Sequence, residues 1–117
     1  LITTHSRRRN HSQFHNIPWY RKLEPHEVWL NPLDAEPRNI ENHDLVKAFN
    51  DRGAISIHAK VTNRIIPGVV NVYQGAWYDP DPSGLDRGGC ANVLTRGEHS
   101  PGGAFSSNTA LIQIEKI

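Results

Sequence analysis

Alternation of apolar and polar residues predicts most of the strands in this chain. Ala54–Val61 alternates along its whole length, Leu45–Phe49 alternates over five residues, and Glu27–Leu30 is rich in strand-forming residues. These patterns are typical of half-buried strands, because successive side chains of a strand point to opposite faces. Other β-branched or alternating segments predict further strands at residues 1–4, 69–73, 91–95 and 110–117.

Turn and loop signals separate these strands. Residues 50–53 predict a hairpin in which Gly53 takes a positive φ. A short helix is predicted from Asn31 onward, with Asp34 as its cap. Long loops are predicted at residues 5–26, 74–89 and 96–108. Six or seven short strands with one or two short helices indicate a mainly β fold, closed into a barrel so that no sheet edge stays exposed.

Length and composition indicate one small domain. The chain has 117 residues, of which 37% are hydrophobic, and this suits a single domain over residues 1–117 with long polar loops. It begins with Leu1 and contains no Met, so we expect it to be part of a much larger subunit. The formal net charge of +1 gives no sign of nucleic-acid binding.

Disulfides and metal sites are not indicated. Cys90 is the only cysteine, so an internal disulfide is impossible and thiolates cannot build a zinc or iron–sulfur site. His11 and His15 have the spacing of a helical zinc pair, but Pro18 and nearby asparagines argue against a sustained helix. No apolar run approaches the ~20 residues that a membrane-spanning helix needs.

An ordered set of short motifs covers essentially the whole chain. The motifs are Thr4-His5, His11-Ser12-Gln13, Asn31-Pro-Leu-Asp-Ala-Glu-Pro-Arg-Asn-Ile40, His43-Asp44-Leu-Val, Asn50-Asp-Arg-Gly53, Gly75-Ala-Trp-Tyr78, Asn92-Val-Leu-Thr95 and a closing Leu-Ile-Gln-Ile-Glu-Lys. Their order resembles the C-terminal molybdopterin-dinucleotide-binding domain of the dimethyl sulfoxide (DMSO) reductase family. Within that family it is most similar to the catalytic subunits of the respiratory DMSO reductases.

The resemblance implies a fold, a cofactor and partners. It implies a six-stranded double-psi β-barrel that covers bis-molybdopterin guanine dinucleotide in an enzyme reducing a sulfoxide or similar oxide. The molybdenum, its protein ligand and any iron–sulfur cluster would lie in other domains, so no catalytic residue and no metal ligand is expected here. The implied partners are the remaining domains of the catalytic subunit, an iron–sulfur electron-transfer subunit and a membrane-anchor subunit. The implied location is the periplasmic side of the cytoplasmic membrane, with the cytoplasm as the alternative.

The N-terminal loop carries the first group of candidate cofactor ligands. Guanidinium, imidazole, hydroxyl and amide groups together suit phosphate oxygens and the edges of a pterin or purine ring. Taken without the resemblance, a polar loop in contact with water is the simpler interpretation. With it, we expect contacts from His5, Ser6, Arg7, His11, Ser12 and Gln13.

Four further candidates lie downstream. Asn31 and Asp34 offer groups that recognise guanine, or they end the strand predicted at Glu27–Leu30 and cap a helix. Trp77 either stacks on the cofactor or anchors the loop beneath it. Asn92 provides a donor and an acceptor for a pterin edge, or bonds to its own loop.

Two other functions would also suit a small β-barrel. A stand-alone anion- or nucleotide-binding β-barrel without a redox role would use the Arg7–Arg9 run, and it is the main alternative. A self-processing barrel enzyme like aspartate decarboxylase would need a serine after a strained glycine. Gly53, Gly68 and Gly75 are not followed by serine, which argues against self-processing.

Overall fold

A single five-stranded sheet organises the protein. The computed structural model describes all residues, 1–117. Its helices and strands are α1 (Pro18–Leu23), β1 (Glu27–Leu30), α2 (Pro32–Ala35), β2 (Leu45–Phe49), β3 (Ala54–Val61), β4 (Asn71–Val72) and β5 (Gln113–Lys116), with 3₁₀ helices at Glu36–Arg38 and Ala91–Val93. The strand order is β4-β1-β3-β2-β5. This confirms a mainly β fold with a few short helices.

The central strand β3 fixes the register of its neighbours. β2 and β3 form an antiparallel hairpin in which Phe49 faces Ala54. β1 runs parallel to β3, with Leu30 opposite Val61. A parallel pair needs a crossover connection, and here α2 and β2 lie in that connection.

The core lies on one face of this sheet. Ile55, Ile57 and Ala59 of β3 are almost fully buried, as the alternating pattern predicts. Ser56, between them, is also buried. Beside it, residue 86 pairs with the edge of β3 in the plane of the sheet, where the Ser56 amide donates to the Asp86 carbonyl at 2.8 Å. The complete core comprises Val28, Leu30, Ala35, Ile40, Val46, Ala48, Ile55, Ile57, Ala59, Val70, Val72, Ala91, Leu94 and Ile114.

The N-terminal segment connects the two edges of the sheet. The Ile2 amide donates to the Val70 carbonyl at 2.8 Å beside β4. The amino group of Leu1 donates to the Ala110 carbonyl at 2.8 Å, just ahead of β5. The strand predicted at residues 1–4 is therefore reduced to a single parallel bridge, between Ile2 and Asn71.

Two local predictions were wrong. Residues 5–26 contain α1, which begins at Pro18. With six residues, fewer than two turns, it is too short to show a helical period in the sequence. Residues 91–95 contain a 3₁₀ helix at Ala91–Val93 rather than a strand, because their amides make local bonds such as Leu94 to the Ala91 carbonyl at 3.1 Å. With at most six residues, none of the helices could span a membrane.

The caps and turns also differ from the prediction. Asn31, not Asp34, caps α2, and its side-chain oxygen accepts from the Leu33 amide at 3.0 Å. Gly53 is needed for space rather than for a positive φ, because a Cβ there would lie 2.7 Å from Cγ1 of Val93. The segments predicted as strands at 69–73 and 110–117 pair only at Asn71–Val72 and Gln113–Lys116.

Candidate functional site

The N-terminal loop packs tightly against the loop that follows β4, although the two are far apart in the sequence. The backbone of Gly75 (φ 88°) lies directly on that of His11, so that a Cβ would be 1.9 Å from the His11 carbonyl oxygen. Two residues on, the Trp77 indole N–H donates to the Ser12 carbonyl at 2.8 Å. Residues 5–13 and 74–77, defined here as the clamp, therefore form one unit. It contains seven predicted ligands: His5, Ser6, Arg7, His11, Ser12, Gln13 and Trp77.

His5 joins this unit through its imidazole. The Gln74 side-chain amide approaches the ring nitrogens of His5 at 2.7 and 2.9 Å. The His5 and His11 rings meet edge to face, with centroids 5.3 Å apart. Both histidines are exposed, so their edges are accessible to a ligand.

Glu24 shapes the turn that carries Ser6 and Arg7. Its carboxylate accepts from the Ser6 hydroxyl and from the amide of Arg8 at 3.0 Å. Burial alone would raise the pKa of Glu24, but these hydrogen bonds lower it overall. Ser6 is buried, so the structure gives its hydroxyl a role within the turn, while the Arg7 side chain stays exposed.

A partly buried network of Arg9, His15 and His26 lies next to the clamp. The Arg9 guanidinium lies 3.0 Å from Nδ1 of His15 and 3.2 Å from Nδ1 of His26. Arginine can only donate, so both Nδ1 atoms accept and both rings carry their proton on Nε2. Nε2 of His26 in turn donates to the Gly89 carbonyl at 2.8 Å. Burial lowers the pKa of His26 to about 4 and also lowers the pKa of His15.

The remaining predicted ligands lie elsewhere. Asn31 is buried; its amide nitrogen donates to the Ile65 carbonyl at 2.7 Å while its oxygen caps α2. One Asp34 carboxylate oxygen accepts from the Gly68 amide at 2.7 Å. Asn92 is exposed on its 3₁₀ helix. The structure thus unites the N-terminal candidates with Trp77 but not with Asn31 and Asp34.

A family model matches most of this chain. The model is described as "Molydopterin dinucleotide binding domain", and it matches residues 1–109. The chain belongs to this family. Membership confirms the resemblance seen in the sequence and confirms molybdopterin guanine dinucleotide, the cofactor that the family implies, as the ligand of the domain.

Curated relatives place the domain among reductases. It is 48% identical over 116 residues to dimethyl sulfoxide reductase DmsA of Haemophilus influenzae, covering 97% of this chain and 14% of the relative. It is 48% identical over 118 residues to DmsA of Escherichia coli, covering 100% of this chain and 14% of the relative. Trimethylamine-N-oxide reductase 1 of Escherichia coli is 44% identical over 95 residues, which is 76% of this chain and 11% of the relative. The chain thus spans about a seventh of the length of its DmsA relatives.

A solved structure supports the fold. Acetylene hydratase from Pelobacter acetylenicus superposes with a TM-score of 0.77 at 15% identity, covering 99% of this chain and 18% of that one. At this identity the likeness establishes the fold alone.

The exposed side chains fit a molybdopterin dinucleotide. Arg7, Ser12, Gln13 and Asn92 are exposed, and their side chains make no hydrogen bond within the chain. They retain donors suited to phosphate oxygens and acceptors suited to ring N–H groups. The clamp therefore presents polar groups that the fold itself does not use.

The spacing of the candidates favours an extended ligand. Asn31 follows β1 at the carboxyl end of β3, where Leu30 pairs with Val61. Asn92 lies at the other end, because its neighbour Val93 contacts Gly53 just before β3 begins. Eight strand residues span roughly 26 Å, so a compact ligand cannot touch both Asn31 and Asn92.

Sequence reasoning missed the residues that hold the site together. Gly75 stands in the Gly75-Ala-Trp-Tyr78 motif, but its partner, the His11 backbone, is 64 positions away. Glu24, Arg9 and His26 carried no motif. Only the crowding of titratable residues near the N-terminus could have pointed to a buried network there.

Proposed function

We propose that the clamp and Asn92 hold the molybdopterin guanine dinucleotide directly. The contact of Gly75 and Trp77 with His11 and Ser12 carries this proposal, since it joins the predicted ligands of the clamp into one unit. We propose the clamp residues His5, Ser6, Arg7, His11, Ser12, Gln13 and Trp77 as ligands on this ground. Asn92 is proposed separately, because it is exposed on its 3₁₀ helix and its side chain makes no hydrogen bond within the chain.

Each exposed group has a role that suits its chemistry. The Arg7 guanidinium binds phosphate oxygens, since its planar fork matches them. His5, His11, Ser12 and Gln13 bond to ring edges, and Asn92 pairs a donor and an acceptor with the pterin. Trp77, half exposed, walls off one side of the ligand. When bound, the cofactor supplies the redox chemistry, while the chain binds and orients it.

Asn31 and Asp34 contact the guanine end only if the dinucleotide reaches the other end of β3. One carboxylate oxygen of Asp34 accepts from the Gly68 amide and the other does not. Asp34 and Arg38 both line a pocket whose other walls are mostly hydrophobic. The pocket is also lined by Leu30 and Val70. A free carboxylate oxygen is the acceptor that guanine N–H groups require.

We further propose that the protein containing this domain reduces a sulfoxide or similar oxide. The names of the DmsA and trimethylamine-N-oxide reductase relatives support this substrate class. Its partners would be the other domains of the catalytic subunit, an iron–sulfur electron-transfer subunit and a membrane-anchor subunit, on the periplasmic side of the membrane. Trp19, Trp77 and Tyr78 are at least half exposed, which supports contact with neighbouring domains.

A closed barrel is the architecture we propose for the sheet. The bonds of Ile2 to β4, and of Leu1 to Ala110 ahead of β5, support residues 1–4 as the sixth strand of a double-psi barrel. Closure would remove both exposed sheet edges.

The decisive experiment compares two exposed asparagines in the intact protein. Asn92→Ala removes the proposed pterin contact, whereas Asn63→Ala changes an exposed residue after β3. Nucleotide released by acid hydrolysis, measured per polypeptide, reports the bound cofactor. Two lost hydrogen bonds lower affinity about tenfold or more, so Asn92→Ala should lose cofactor and Asn63→Ala should not. Equal contents in both variants would contradict the proposed site.

A further inference from the structure

Asp86 is a buried carboxylate with no role in the family motifs described above. Its side chain is fully inaccessible to solvent. Its backbone is fixed to β3: the Asp86 amide donates to the Ala54 carbonyl at 3.0 Å, and the Ser56 amide donates to the Asp86 carbonyl at 2.8 Å. An anion in such a place requires strong compensation.

The compensation comes from backbone amides rather than from a cation. Oδ1 of Asp86 accepts from the amides of Asp79 at 2.7 Å and Gly88 at 3.0 Å, and Oδ2 accepts from the amide of Cys90 at 2.6 Å. None of the ion pairs in the structure includes Asp86. One carboxylate therefore organises a loop of about a dozen residues.

These amides lie next to two proposed cofactor ligands. Asp79 follows Trp77 closely in sequence, and Cys90 is the N-cap of the 3₁₀ helix that carries Asn92. Gly88 joins the two sides, since a Cβ there would be 1.8 Å from the Trp77 carbonyl oxygen. The separation of Trp77 from Asn92 thus depends on the position of the Asp86 carboxylate.

We propose that Asp86 is a positioning residue for cofactor binding, which sets Trp77 and Asn92 at the spacing that the molybdopterin dinucleotide requires. This inference rests on the proposed function of the clamp and Asn92. It assigns Asp86 no contact with the cofactor, since the carboxylate is enclosed by the loop that it orders.

The test uses Asp86→Asn in the intact protein, with Asp81→Asn as the matched control. Asp86→Asn keeps the side-chain volume but replaces one carboxylate oxygen by an NH₂ group. That group then faces a backbone N–H, so two hydrogen-bond donors meet. The Asp81 carboxylate likewise accepts from backbone amides, those of Ser83 and Leu85. These amides belong to a local turn that holds neither Trp77 nor Asn92, so Asp81→Asn controls for the loss of a carboxylate in this loop. Nucleotide content per folded polypeptide is measured well below the melting temperature of each variant.

We expect Asp86→Asn to lower nucleotide content about tenfold and Asp81→Asn to leave it unchanged. A purely structural role would lower the melting temperature but leave the content of the folded protein at the wild-type level, and that result would overturn the inference. Gly88→Ala provides a second test, because it keeps Asp86 but wedges a methyl group against Trp77, and we expect the same loss. If Asp86→Asn does not fold, a wild-type content in Gly88→Ala would overturn the inference.

The two proposals fail differently. If Asn92→Ala loses cofactor while Asp86→Asn and Gly88→Ala retain it, the positioning role is wrong and the proposed binding site stands. If Asn92→Ala also retains it, the proposed site itself is wrong.

Discussion

Substitution of Gly75 by alanine should open the clamp. The Gly75 backbone has a φ of 88°, and its ideal Cβ position lies 1.9 Å from the His11 carbonyl oxygen and 2.5 Å from the carbonyl carbon. Real Cβ atoms come no closer than 3.0 Å to other heavy atoms. The two segments must therefore separate by about 1 Å or more, which strains the bond from Trp77 to Ser12.

The size of the effect follows from two terms. A non-glycine residue at this φ costs about 1 kcal/mol. Separating the loops loses the Trp77 bond and disturbs the Gln74–His5 contact, at about 1 kcal/mol each. The total of roughly 3 kcal/mol corresponds to a fall in melting temperature of about 12 °C for a domain of this size.

Gly68→Ala is the matched control. Gly68 also has a positive φ, 78°, but nothing lies within 4 Å of its Cβ position. It should cost only the backbone term, about 1 kcal/mol or about 4 °C. Melting followed by circular dichroism, together with nucleotide content of the intact protein, tests both variants. Equal melting temperatures and equal cofactor contents would refute the clamp.

Three other predictions rest on the same structure. His26 gains a proton below its ordinary pKa of 6.5 in the unfolded chain, but only near pH 4 in the folded chain. The free energy of unfolding should therefore fall by roughly 3 kcal/mol as the pH drops from 6.5 to 4. Denaturant titrations at several pH values should find this pH dependence reduced by that amount in His26→Gln, and an unchanged dependence would contradict a neutral His26 imidazole in the folded protein. Asn31→Ala removes the cap of α2 and the bond to the Ile65 carbonyl, so urea unfolding should find it about 2 kcal/mol less stable; a change within 0.5 kcal/mol, as expected of ordinary surface substitutions, would disprove the capping role. Trp77→Phe keeps an aromatic ring but loses the hydrogen bond to the Ser12 carbonyl. It should lower the free energy of unfolding by about 1 kcal/mol and also lower the nucleotide content. Wild-type stability together with wild-type nucleotide content would show that this bond is dispensable.

The strands around β3 could be predicted because one face of each is buried. Ala54–Val61 and Leu45–Phe49 appear where their alternation predicts them. Residues 91–95 have strand-like side chains but no partner strand. Their N-terminal neighbour Cys90 is held by Asp86, and the backbone turns into a 3₁₀ helix instead. Tertiary context thus overrides local preference there.

The candidate site could be predicted in content but not in arrangement. The motifs predict His11, Ser12 and Trp77 as ligands, and the structure brings these three residues together. Two contacts do this: the Gly75 backbone packs on the His11 backbone, and the Trp77 indole donates to the Ser12 carbonyl. The segments are about 65 positions apart in the sequence, so only the presence of a glycine at position 75 hints at the close approach. Asn31 and Asp34 carry similar polar groups, but they follow β1 at the carboxyl end of β3.

An experimental structure of the intact protein with its cofactor bound tests the central claim most directly. The dinucleotide should lie within hydrogen-bonding distance, about 3 Å, of side chains in residues 5–13 and of Asn92, with Trp77 against it. A dinucleotide held entirely by other segments, with the clamp facing solvent, would contradict the account.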